Sequence, residues 1–337
     1  MKKRKSLKVL SIVILSILAF LLVINIIPPK KSVDSNPFIV DDGELPMIAA
    51  HRGGALNNPE NTLLAFKYAV ESIGVEIIES DLYLTKDGYL VYNHDSYIDE
   101  TCNVNGDISL DEVKALCKDE SNRHYIKDMT LAELEQYNFG YYFEDDDGVR
   151  IYKDETDVSA SGLQIATVDK LFEMFYESHP SLMFIVEIKD GGERGFEACH
   201  VLASTLDQYP NYKDQVVIGT FNNEIEQQLK TSYPELLRGA PTGSAAKFIL
   251  TQYMRVNIFD NGDFACLQIP LSYDLGIVVP LDKKCLVRRA HRRNIAVQYW
   301  TINDPDEMRM LIEMGVDCIM TDDPELLSEI LAEYRGK

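Results

Sequence analysis

From Met47 onward, short apolar runs alternate with stretches whose apolar residues recur at helical spacing. Met47–Ala50 reads as a strand and Thr62–Ile73 as a helix. Glu76–Leu84 and Tyr89–Asn93 read as two further strands, joined by the turn TKDG. From Ser96 to about Leu163 the pattern breaks down into polar clusters, EDDDG and KDETD among them, with one short helix at Thr130–Tyr137. It resumes with helix Val168–Glu177, strand Leu182–Ile188, helix Phe196–Asp207, strand Gln215–Gly219 and helix Asn223–Ser232. It closes with helix Asp282–Arg293, strand Ile295–Thr301, helix Pro305–Met314, strand Asp317–Met320 and helix Pro324–Tyr334. Residues 236–275 carry the weakest pattern. A repeated strand–helix order predicts a parallel sheet with helices outside. About eight units over roughly 290 residues fit a TIM (β/α)8 barrel with an insertion after strand 3. An open doubly wound sheet is the alternative, but no G-x-G-x-x-G follows the first strand.

The N-terminus stands apart. MKKRKSLK carries five positive charges and no negative one, and Val9–Ile27 is apolar except for Ser11, Ser16 and Asn25. That is about the 20 residues a membrane-spanning helix needs, and Pro28-Pro29 ends it. A cleaved signal peptide competes, but the apolar run is long and no A-x-A site follows. No Cys follows it either, which excludes a lipoprotein anchor. The reading adopted is an uncleaved signal anchor. It divides the chain into a cytoplasmic basic segment (1–8), a transmembrane helix (9–27), a linker (28–45) and one large domain (46–337, insertion about 96–163). Five Lys/Arg precede the helix and two, Lys30 and Lys31, follow it, which places the domain outside the cytoplasmic membrane.

Residues 1–31 hold seven Lys/Arg and no Asp/Glu, so without them the net charge moves from −21 to −28. A domain this acidic repels a phosphate backbone, which argues against a nucleic-acid partner. The six cysteines show no CxxC or other zinc spacing. Cys102 and Cys117 are the closest in sequence and a candidate disulfide outside the cell; buried free thiols are the alternative.

The candidate chemistry lies at strand ends. In a barrel, alternate residues face the interior. With Glu79 and Asp81 inward, Ile78, Ser80 and Leu82 face the helices. Two adjacent buried carboxylates repel each other, and a divalent cation removes the conflict; oxygen donors suit Ca2+ or Mg2+. The first strand ends in His51-Arg52-Gly53 and the third in His94-Asp95. If strands run in order round the barrel, these histidines flank the carboxylate strand, as acid–base cleavage of a phosphodiester requires. Strand Leu182–Ile188 adds Glu187, with Lys189 two residues on, as a third candidate ligand and a phosphate contact. His124, His179, His200 and His291 lack partner motifs and read as surface or helix residues. EDDDG misses the EF-hand spacing and reads as a solvated loop.

HRG (51–53), PENT (59–62), ESDLYLTKDGYLVYNHD (79–95), VEIK (186–189), YWTINDP (299–305) and GVDCIMTDDP (315–324) together resemble the glycerophosphodiester phosphodiesterases. The resemblance runs from Ile48 to about Leu327. It implies a TIM barrel that hydrolyses a glycerophosphodiester, a small-molecule or lipid-derived substrate, to glycerol phosphate and an alcohol. It implies metal binding by Glu79, Asp81 and Glu187, and acid–base catalysis by His51 and His94. It implies phosphate contact by Arg52 and Lys189, positioning by Glu60, and a pocket wall at Trp300. Ser80 departs from the family's usual apolar residue. Three alternatives stay open: a lysophospholipase D-type enzyme, a phospholipase C-like enzyme on a lipid or glycerol-phosphate polymer, and a non-catalytic tethered binding protein.

Overall fold

The computed structural model describes residues 2–256, 260–274, 276 and 278–335. The remaining positions, some of them in the weakly patterned 236–275 stretch and the last two of the 46–337 domain, lie outside the described residues.

A long helix, α1 (Lys2–Ile26), leads into β1 (Met47–His51), α2 (Leu63–Lys67), β2 (Ile77–Leu84) and β3 (Leu90–Tyr92). The inserted segment carries α3 (Leu110–Leu116) and α4 (Leu131–Leu134). Then follow α5 (Val168–Phe175), β4 (Met183–Ile188), α6 (Gly192–Gln208), α7 (Pro210–Lys213), β5 (Val216–Gly219), α8 (Asn223–Ser232), β6 (Leu237–Arg238) and α9 (Thr242–Tyr253). The last part holds β7 (Cys266–Ile269), a hairpin of β8 (Ser272–Asp274) and β9 (Val278–Pro280), α10 (Lys284–His291), β10 (Ala296–Tyr299), α11 (Pro305–Met314), β11 (Cys318–Thr321) and α12 (Pro324–Arg335).

Eight parallel strands lie in the order β6-β5-β4-β2-β1-β11-β10-β7. A parallel bridge between Gly239 and Cys266 joins β6 back to β7, with Ala240 N–H donating to Cys266 C=O and Ala265 N–H to Arg238 C=O. The sheet is a TIM barrel, as the strand–helix alternation predicts. One assumption about its order is corrected. β3 is not a stave: it pairs antiparallel with the end of β2, Leu82 opposite Tyr92, and β4 takes the parallel place beside β2. The TKDG turn is too short for a parallel crossover, which needs a dozen residues or more.

Inward positions alternate as expected. Met47, Ala49, Ile77, Met183, Ile185 and Met320 pack in one interior cluster, while Ile78 and Leu82 pack with the helices. Phe38, fully buried, joins the interior cluster from outside the barrel sequence. The stretch read as a linker is therefore partly a plug across the N-terminal face. Ser32 and Asn36 side chains donate to Gly262, Phe264, Ala265 and Asn294 carbonyls, and Val40 N–H donates to Asp317. Its polarity misled because those polar groups satisfy the barrel's own strand starts.

The apolar stretch of α1, Lys8–Ile26, is long and apolar enough to cross a membrane. Its end docks on the barrel: Asn25 donates to Arg255 C=O and accepts from Arg289, and Ile24 is buried. The insertion keeps two small apolar clusters, around Ile126 and around Val113. Cys102 belongs to one and Cys117 to the other, and both are free. The candidate bridge does not form. The EDDDG turn closes on itself, with Val149 N–H donating to Asp145.

Candidate active site

The C-terminal ends of the parallel strands form a mouth with a cavity of about 660 Å³. His51, Arg52, Glu79, Asp81, His94, Glu187, Lys189 and Trp300 all line it. The strand register explains the convergence: His51 lies opposite Glu79 and Asp81 opposite Glu187. Each is an inward position on its own strand.

The loop after β1 is held in unusual backbone geometry. Arg52 (φ 52°) and Asn61 (φ 60°) are left-handed non-glycines. Gly53 (φ 84°) lies so close to α2 that a Cβ would sit 2.8 Å from the Phe66 ring. Asn61 N–H donates to Arg52 C=O, its side chain accepts from the Ser80 hydroxyl, and Thr62 caps α2. Ser80 thus faces away from the cavity. Glu60 pairs with the Arg52 guanidinium at 2.9 Å, which fixes that side chain beside the mouth.

His51 Nδ1 lies 2.5 Å from Asp322 Oδ1, and Nε2 lies 3.8 Å from Glu79 Oε2. Burial opposes a charged imidazole here, but the Asp322 hydrogen bond and the Glu79 and Asp322 charges outweigh it and raise the His51 pKa above 6.5. Burial, then the charge of Asp81, pushes Glu79 up to about 7, while Arg52 N–H donates to it at 3.2 Å. Lys189 Nζ bridges Asp81 at 2.9 Å and Glu187 at 3.1 Å. Burial raises the Glu187 pKa, opposed by Lys189. The second Asp81 oxygen is buried without a hydrogen-bond partner. His94 arrives from the loop after β3 rather than from a stave, and its Nδ1 lies 3.2 Å from Asp95.

Asp322 was not singled out by sequence reasoning, although TDDP is part of the recognised motif. It sits in a loop of two consecutive aspartates, and only the β1–β11 pairing shows which one meets His51. Asn303 donates to its other oxygen at 2.7 Å. His124 is exposed and His291 lies on α10, as the sequence predicts, and each also meets a buried aspartate at 2.8 Å, Asp99 and Asp317 respectively.

With this geometry in place, comparison with known proteins is decisive. The glycerophosphoryl diester phosphodiesterase family model matches residues 51–326. The chain belongs to that family. A glycerophosphodiester phosphodiesterase of Caldanaerobacter subterraneus subsp. tengcongensis is 27% identical over 285 residues, covering 85% of this chain and 97% of that one. The solved glycerophosphoryl diester phosphodiesterase domain of a Mycobacterium tuberculosis protein superposes with TM-score 0.63 at 18% identity, covering 86% of this chain and 100% of that one. An Oleispira antarctica phosphodiesterase, solved with its product sn-glycerol-3-phosphate, superposes with TM-score 0.60 at 21% identity, covering 86% and 97%. Membership of the glycerophosphoryl diester phosphodiesterases makes this chain a phosphoric diester hydrolase acting on glycerophosphodiesters.

Proposed function

We propose that the mouth cleaves its glycerophosphodiester by acid–base catalysis shared between His51 and His94, beside a divalent cation held by Glu79, Asp81 and Glu187. The observation that carries this reading is the buried Asp81 oxygen with no partner, in a cavity that both imidazoles line. Family members generally depend on a divalent metal. An all-oxygen donor set suits Ca2+ or Mg2+, and burial first, then the charge of Asp81, disfavours an ionised Glu79, which a cation would offset. Among the described residues no three His, Cys, Asp or Glu side chains yet converge on one point, and Lys189 supplies the positive charge between Asp81 and Glu187. When bound, the cation offsets negative charge on the phosphoryl oxygens.

The chain's own residues divide the rest of the work. Asp322 holds His51 by Nδ1, which leaves Nε2 on the Glu79 side of the cavity. One imidazole removes the proton of the nucleophile and the other donates to the leaving oxygen. Arg52, braced by Glu60, and Lys189 neutralise phosphate charge. Trp300, one-third exposed, walls the side away from the carboxylates.

Glycerol phosphate release from glycerophosphocholine tests the reading, with Ca2+, with Mg2+ and with chelator. Release should need metal and vanish in His51→Ala and Glu79→Ala. Undiminished release under chelation, or from either variant, sinks it.

The excess of Lys/Arg at the start of α1, ahead of its apolar run, supports an anchor with the catalytic domain outside the cytoplasmic membrane. Protease added to intact cells should then degrade the domain; full protection would reverse the orientation.

A further inference from the structure

The charged groups occupy only half of the mouth, on β1, β2, β4 and the loops that follow β1 and β3. The other half is mostly apolar, with Thr220, Thr242 and Gln268 as its polar groups. On α9, Ala245, Ala246, Ile249, Leu250 and Tyr253 recur at helical spacing and all line the same cavity. Facing them are Ile269, Tyr273, Val279 and Leu281 from β7 and the β8–β9 hairpin, and Tyr253 Oη donates to Pro280 C=O across the gap at 2.6 Å. Between them β5 ends in Gly219 and Gly239 follows β6, and the Gln268 amide of β7 takes the place of a side chain beside Gly239. Phe221, Leu250, Tyr253, Tyr273 and Trp300 are exposed large apolar side chains, and all five line this one cavity. Exposed apolar residues scattered singly need no explanation, but a contiguous set opening off a catalytic centre does.

The direction of this groove identifies its occupant. α9 starts where β6 ends, at the mouth, and the lined face continues to its last residue, Tyr253. That is about 16 Å of helix at 1.5 Å per residue. Two residues on, the Arg255 carbonyl accepts from Asn25 at the end of the apolar helix α1. Arg289 and Arg292 of the α10 end also bind Asn25, and Lys30 and Lys31 follow close by. The groove therefore runs from the phosphodiester site towards the basic face on which the apolar helix docks.

Resting on the phosphodiesterase reading of the mouth, we infer that this groove holds the single acyl chain of a lysophospholipid. The phosphodiester lies among the charged residues and the chain lies along α9. The cavity is about 660 Å³ in all and must also take the phosphodiester, which suits one chain and not two. A small headgroup diester leaves it empty, and a glycerol-phosphate polymer meets few hydrogen-bonding groups along it, chiefly Thr242, Gln268 and Tyr273.

Two readouts test this on the full chain in phosphatidylcholine nanodiscs. Trp300 is the only tryptophan, so its fluorescence reports directly on the cavity. A lysophosphatidylcholine with a doxyl label on its chain should quench it saturably, at least about tenfold more weakly in Leu250→Glu. Separately, the ratio of kcat/KM for lysophosphatidylcholine over glycerophosphocholine should exceed one. It should fall at least about tenfold in Ala246→Phe and Leu250→Glu, which block or charge the groove. Quenching that does not saturate, or a ratio that neither variant changes, overturns the inference. Normal, Leu250-dependent quenching without hydrolysis of either substrate upholds the groove and overturns the catalytic reading of the mouth instead.

Discussion

Two buried aspartates sit at opposite ends of the barrel and are treated in opposite ways. At the base, Asp317 accepts from Val40 N–H and Val297 N–H and pairs with His291. Every oxygen is used, and the partners come from the plug, from β10 and from α10. At the mouth, Asp81 is almost as buried, yet Lys189 holds one oxygen and the other has no partner. Its neighbours Glu79 and Glu187 bring more negative charge and not less. An unpaired buried polar atom costs about 1–3 kcal/mol, more when charged. A fold bears that cost where a ligand is meant to relieve it. The base spends its charges on holding the chain together; the mouth keeps its charges available.

The sharpest way to break this comparison is to neutralise each aspartate in turn. Asp81→Asn should lower kcat/KM for glycerophosphocholine roughly 10²–10³-fold, the scale of losing an electrostatic contact made to developing charge. Its Tm should hold or rise, because the carbonyl still accepts from Lys189 while the repulsion of Glu79 is gone. Asp317→Ala should do the reverse. It leaves His291 and two backbone N–H groups without their partner, a loss of about 3–5 kcal/mol for a broken buried pair. Activity per folded molecule should stay near the parent value. Urea unfolding followed by Trp300 fluorescence reads the first quantity, and initial rates on the surviving folded fraction read the second. If Asp81→Asn unfolds the protein, or Asp317→Ala loses catalysis without losing stability, the division between the two ends is wrong.

The same division explains what the sequence shows and what it hides. The staves β1, β2, β4, β10 and β11 are apolar runs bounded by amphipathic helices, so their alternation is legible, and so is the inward phase of Glu79 and Asp81. β6 is only Leu237–Arg238, too short for any periodic signal. Residues around it were unreadable for that reason, and the groove along α9 was invisible with them. Apolar residues on α9 face a cavity as well as a core, which blurs the stripe that marks a surface helix. Phe38 was hidden because a plug needs one apolar side chain in a polar run, not a pattern. β3 looked like a stave because a hairpin partner and a stave share the same alternation; only the length of the connecting turn separates them. The aspartate partners of His124 and His291 carry no sequence signal because they lie 25 and 26 residues away, beyond any local motif.

The smallest test compares two His–Asp pairs of similar chemistry. At the mouth His51 is held by Nδ1, with Nε2 turned to the cavity. At the base His291 is held by Nε2. Burial opposes the charge on His291, but the Asp317 hydrogen bond and charge, helped by Asp42, outweigh it and raise the pKa above 6.5. A folded-state pKa above the unfolded value means stability that is complete below about 6.5. That contribution disappears as pH rises through the raised folded value. His291→Gln removes it at every pH. The difference in unfolding free energy between parent and His291→Gln should therefore be about 1.5–3 kcal/mol at pH 6, the size of a hydrogen bond to a charged group, and shrink steadily towards pH 9. The parent's extra stability at acid pH belongs to the base, so the mutant should lose it while its pH–rate profile keeps the parent shape. A pH-independent stability difference would show that His291 acts by packing alone. A displaced pH–rate profile would mean that the base and the mouth are electrically coupled, and that the separation of holding charges from working charges fails at the one pair where both ends use the same side chains.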